Sequence, residues 1–119
     1  MAGVQFISYQ GKRILLVDVA RCTTDETERV IRSVPDFVKL QPLGSVLLLV
    51  DFAGASFNCE TIRAMHEYAV WDKPYIKKSA WIGSESLPDS FRDGLSGYSG
   101  REFAVLNTRT GALEWLTKD

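Results

Sequence analysis

"VLLLVDFAGASFNCETIRAM", residues 46–65, decides the fold. Val46 to Val50 run without a polar break into Asp51. A strand with one wet face alternates; a strand apolar throughout is covered on both faces, as in a sheet with helices on each side. Ala53 to Phe57 form a short loop. Asn58 then offers an N-cap side chain, and Glu60 lies in the first turn, where the helix dipole favours an acid. Ile62, Met65 and Ala69 follow at helical spacing. The reading is a central strand over 45–51 and a helix over 58–71, stopped by Lys73-Pro74.

Upstream, Val4–Tyr9 and Lys12–Val19 are strand candidates joined by Gln10-Gly11, a hairpin pattern. Thr23 and Glu26 make a capping box for a helix whose buried stripe is Val30, Ile31 and Val34. Pro35 is expected to end or kink that helix, with Asp36–Leu40 as one further turn before Pro42 and Gly44. Downstream, Tyr75–Ile82 is a strand, Pro88–Leu95 a short helix and Glu102–Leu106 the last strand. Thr110–Thr117 is a terminal helix with Leu113 and Leu116 inward and Trp115 on its shoulder. Alternating strands and helices imply an α/β fold with mostly parallel pairing. The expectation is a mixed sheet of about five strands with an N-terminal antiparallel hairpin and four flanking helices. The segments "ILLVDVA" (14–20) and "LLLVDFA" (47–53) echo each other and read as two neighbouring buried strands.

The chain has 119 residues, enough for one hydrophobic core, so residues 1–119 are read as a single domain. A net charge of -1 argues against nucleic acid as a partner, which calls for a basic face. The apolar run at Val46–Val50 is too short to cross a bilayer, and "MAGVQFISYQGKR" lacks the order of a signal peptide. The chain therefore reads as cytoplasmic, without membrane insertion. It has two cysteines and one histidine, a poor inventory for a structural metal site, so no metal and no cofactor are expected.

The element order, with "DFAGASFNCETIRAM" and "SGREFAVLNTRTGALEWL", resembles the STAS-like proteins, relatives of the bacterial anti-sigma-factor antagonists. The local matches are Asp51-x-x-Gly54-Ala55-x-Phe57, Lys73-Pro74-Tyr75, Ser99-Gly100-Arg101 and Ala112-Leu113-Glu114-Trp115-Leu116. The resemblance implies a mixed sheet flanked by helices and a role in protein–protein regulation. It also implies a phosphorylatable serine at the start of the helix after the central strand. Aligned on Ser56-Phe57, that serine falls at Glu60, with Cys59 where the motif has Asp and Thr61 where it has a second serine. A carboxylate carries one negative charge, against about −1.5 to −2 for a phosphate, and no kinase can switch it. The loop looks like the family's switch with the switch removed.

No nucleophile–base pair is visible, so no catalytic residue is assigned. Ser56, Asn58, Cys59, Glu60 and Thr61 are the candidate switch-loop surface, with Ser56 or Thr61 as the remaining hydroxyl acceptor. The opposing reading is a plain strand-to-helix connection, with Glu60 only satisfying the helix start. Cys59 in a first turn and Cys22 after the second strand lie beyond one sheet edge, which allows a redox pair or a soft-metal site, against the reading of two reduced thiols. His66, two turns beyond Cys59, is about 10 Å away along the helix and reads as a partly buried histidine. Asp18 and Asp51 end two buried strands. They either cap the following loops or form a Mg²⁺ or phosphoryl site, though Asn107 and Thr108, not a lysine, follow the last strand. Lys73, Lys77 and Lys78 are a possible anion contact or a solvated edge. The leading expectation is a non-catalytic regulatory module contacting an unknown protein through residues 53–61. A ligand-binding or phosphoryl-handling domain and a homodimeric structural protein are the alternatives.

Overall fold

The computed structural model describes residues 3–83 and 102–118, and their side chains other than those of residues 66, 69–73, 102 and 103. One five-stranded sheet, ordered β1-β2-β3-β4-β5, runs through the protein. β1 (Gly3–Tyr9) and β2 (Lys12–Asp18) pair antiparallel, and β3 (Val46–Asp51), β4 (Ile76–Ile82) and β5 (Glu102–Leu106) continue the sheet in parallel. The hairpin turn puts Gln10 at φ 49° and Gly11 at φ 78°. Two positive φ values are the pattern of a type I′ turn, whose twist matches that of the strands it joins.

Successive side chains of a strand point to opposite faces, and both faces of this sheet are buried. Leu15, Val17 and Val50 face one cluster, beneath α1 (Thr24–Val38) and α2 (Cys59–Asp72). Ile14, Leu16, Leu47 and Leu49 face the other, where Ala112 and Leu116 of α3 (Arg109–Thr117) close over them. Three helices thus flank the sheet among the described residues. The fourth expected helix, Pro88–Leu95, lies outside the described residues, as does the Ser99-Gly100-Arg101 match.

The capping box forms as read: the Thr23 hydroxyl accepts from Glu26 N at 3.2 Å and the Glu26 carboxylate from Thr23 N at 3.0 Å. Holding those hydrogen bonds keeps the Glu26 carboxyl below the usual range. Pro35 does not end α1, which continues to Val38. The proline removes one N–H, but Ile31, Val34 and Val38 form one buried stripe across it, and Lys39 N still donates to Pro35 O at 3.0 Å. Packing of the stripe outweighs the lost hydrogen bond.

Strand β4 carries one irregularity. Val46 pairs with Ile76 but Leu47 pairs with Lys78, so Lys77 is an extra, bulged residue. The core records the shift: Ile76 and Ile82 have the same parity yet lie in opposite clusters.

Candidate functional site

The C-terminal ends of β2 and β3 lie side by side, Asp18 opposite Asp51. Each aspartate does the same local work. Asp18 Oδ1 accepts from Ala20 N, and Asp51 Oδ1 from Ala53 N, both at 3.0 Å. The echo of "LVDVA" and "LVDFA" is this repeated turn, in which a strand-end carboxylate holds the backbone two residues on. The loops leaving both strands are then laced together: Val19 N donates to Asp51 O, Arg21 N to Ala53 O and Ser56 N to Cys22 O. Phe57 packs its ring against Phe52, 5.9 Å between centroids, which anchors the far end of the loop in the core.

The second oxygen of each carboxylate faces Arg109, the first residue of α3. Its Nε donates to Asp51 Oδ2 at 2.8 Å and its Nη2 to Asp18 Oδ2 at 3.0 Å. Burial draws the guanidinium pKa down, and the hydrogen bonds to Asp51 and Asp18 more than offset it, so the net shift is upward. Asp51 is only 6% exposed, and the ion pair compensates its charge there. All four carboxylate oxygens thus have a donor, and a cation between Asp18 and Asp51 would have to displace the guanidinium. Among the described residues no group of three or more His, Cys, Asp or Glu is placed to hold a metal ion. Chelation with EDTA is accordingly expected to leave the thermal midpoint unchanged; a fall would return attention to these two aspartates.

Arg109 escaped the sequence reading, which stopped at Asn107 and Thr108. A signal was there. A cation in the first turn of a helix opposes the dipole, and the first turn of α3 contains no acid. An arginine in that position needs carboxylates from elsewhere in the fold.

The switch-loop residues separate into two groups. Ser56, Asn58, Cys59 and Glu60 are exposed, as are Ala53 and Gly54. Thr61 is not on the surface: it is 1% exposed. The Asn58 side chain caps α2 by accepting from Thr61 N at 2.8 Å and from the Thr61 hydroxyl at 2.8 Å. That cap turns Thr61 inward, which removes it from the candidate surface and leaves Ser56 as the accessible hydroxyl. Glu60 sits exposed in the first turn of α2, the position the alignment requires.

Cys22 and Cys59 are free thiols in unlike settings, Cys22 buried and Cys59 exposed. Burial, then the charges of Glu26 and Asp18, push the Cys22 thiol pKa up, so it stays protonated. A thiol reagent is expected to modify one cysteine in the folded protein and the second only after unfolding. Two fast-reacting thiols in the native state would contradict this placement. The side chains of His66 and Lys73 lie outside those described. Lys77 is exposed at the bulge, and Lys78 donates to Lys118 O at 2.7 Å. Trp81 is buried in the core against Phe52, and Trp115 is half-buried under the Lys78 ammonium.

No family model and no curated protein matches the sequence. A solved structure does match the fold: an uncharacterized protein of the DUF3478 family with a SpoIIAA-like fold from Shewanella loihica PV-4. The two share 16% identity and superpose with a TM-score of 0.75, over 98% of this chain and 95% of the other. The fold is SpoIIAA-like. This is the architecture of the anti-sigma-factor antagonists that the STAS-like motifs resemble. Within the SpoIIAA-like sheet the 53–61 segment occupies the connection from the central strand to α2. No helix among the described residues is long and apolar enough to cross a membrane.

Proposed function

We propose that the protein is a non-catalytic regulatory module that binds another protein through the loop and helix start 53–61. One observation carries this reading: the segment is exposed along its outer edge while its backbone is fixed. Ser56 N is held by Cys22 O, Ala55 N by Phe52 O and the helix start by Asn58, yet Gly54, Ser56, Cys59 and Glu60 face solvent. A surface ordered in advance loses little entropy on binding, which favours recognition over disorder. The SpoIIAA-like fold and the STAS-like motifs support a regulatory role, and the fixed carboxylate at Glu60 supports constitutive contact. In place of a carboxylate pair open to Mg²⁺ or a phosphoryl group, Asp18 and Asp51 hold two loop backbones and Arg109.

Cys59 gives direct access to the test. A photoactivatable group attached to this exposed thiol captures whatever docks on the segment. Amide hydrogen exchange of the reconstituted, uncrosslinked complex then maps the contact. Protection is expected at 53–61. A complex that leaves these amides as fast as in the free protein, with protection elsewhere, would overturn the reading.

A further inference from the structure

The opposite edge of the sheet carries a second feature that residues 53–61 do not explain. The starts of β2, β3 and β4 and the C-terminal end of α3 surround a depression of about 460 Å³. Lys12, Arg13, Lys77, Lys78 and Lys118 line it, over a floor of Leu47 and Leu116, with Ser45 at the side. The whole chain has a net charge of -1, so four lysines here are a local concentration and not an overall basic character; Arg13 borders the hollow at its place in β2, but its guanidinium lies over Phe6 on the opposite face of the sheet. We propose that this depression binds a small, multiply charged oxyanion of the phosphate-ester or pyrophosphate class.

The bulge in β4 is the first support. In a regular strand Lys77 and Lys78 would point to opposite faces. The extra residue breaks that alternation, and both side chains border the depression. Bulges that re-aim a side chain recur beside functional sites.

Preorganisation is the second. Lys12 Nζ donates to Thr117 O at 3.0 Å and Lys78 Nζ to Lys118 O at 2.7 Å, at the C-terminal end of α3. The Lys78 ammonium also lies 5.3 Å from the Trp115 ring centre. These contacts fix where the charges stand, so less freedom remains to be lost when an anion arrives.

The bland reading is that the lysines only neutralise the end of α3. It accounts for Lys12 and Lys78. It leaves Lys77 and Lys118 on the same depression without a reason. The volume falls within the range of small-molecule sites, about 300–1,000 Å³. Lysine suits phosphate oxygens as a compact charge with three donors. An extended acidic chain would call for a stripe of cations running on across the surface, whereas these converge on one hollow.

Titration of the full ¹⁵N-labelled chain with pyrophosphate at low salt tests the proposal. Saturable shifts are expected at the amides of residues 12–13, 45–47, 77–78 and 116–118, and not around 53–61. Lys77→Gln should weaken binding about tenfold, the effect of losing a charged hydrogen bond, whereas Arg13→Gln should bind like the parent. Lys77→Arg should retain it. Lys77 is exposed, and an unchanged thermal midpoint in Lys77→Gln verifies that this variant folds. Shifts that rise linearly without saturation would overturn the proposal, as would a Lys77→Gln protein that binds like the parent. A poly-glutamate peptide that binds at this edge where pyrophosphate does not would also overturn it, and would mark the edge as a protein contact.

Discussion

Replacing Leu49 by alanine is expected to cost about 2–5 kcal/mol of stability, read from the urea midpoint. Leu49 is fully buried in the central strand, packed with Ile14, Leu16, Ala80 and Leu116 beneath α3. Its truncation removes apolar contact and leaves a cavity that strands on both sides keep from collapsing. Leu48, its neighbour, is only partly buried and faces α1 and α2, so the same change there should cost less. Equal midpoints for the parent and Leu49→Ala would contradict the burial of β3 on both faces.

Gly83→Ala is expected to be comparably severe for a different reason. Gly83 has φ +72°, and a Cβ on it would lie 2.5 Å from Ala53 N and 2.6 Å from Ala53 Cα. That backbone cannot easily turn aside. Phe52 N is bound to Ile82 O at 2.8 Å, and Ala53 N to Asp51 Oδ1 at 3.0 Å. Left-handed geometry costs an alanine about 1–2 kcal/mol. Overpacking against fixed backbone adds about 1–3 kcal/mol. Gly54 is the internal control. It also has positive φ, but the nearest atom to its added Cβ is the flexible Arg21 Cγ at 3.3 Å. Gly54→Ala should therefore carry mainly the first cost. Equal losses at the two glycines would show that the β4 end does not brace the 53–61 segment.

The fold was legible wherever one local signal agreed with the tertiary outcome. The unbroken run Val46–Val50 marked the strand covered on both faces, Gln10-Gly11 the hairpin, and Thr23 with Glu26 the helix start. Pro35 misled because a local rule about one N–H says nothing of the buried stripe that carries α1 on to Val38. Thr61 misled for a similar reason: its neighbours in sequence are exposed, but the Asn58 cap sets the helix phase and turns it inward. Asp18 and Asp51 were found by their positions at two strand ends. Their partner Arg109 was not, because it is 58 residues from Asp51 and 91 from Asp18 along the chain. The bulge at Lys77 is a matter of register between strands, which no residue type in "YIKKSAWI" announces.

These placements converge on Glu60, an exposed, unswitchable charge in the first turn of α2, on a loop braced by β2, β3 and Gly83. Substituting glutamine keeps the shape and removes the charge, at a stability change of only about 0.3–1 kcal/mol. Glu67, exposed on the same helix farther from the loop, gives the matched control. The decisive measurement is the dissociation constant of the partner captured through Cys59, for the parent, Glu60→Gln and Glu67→Gln. Glu60→Gln is expected to weaken binding about three- to tenfold, more steeply at low salt, with Glu67→Gln close to the parent. A partner that binds Glu60→Gln as tightly as the parent would contradict the claim that this helix start is the contact surface.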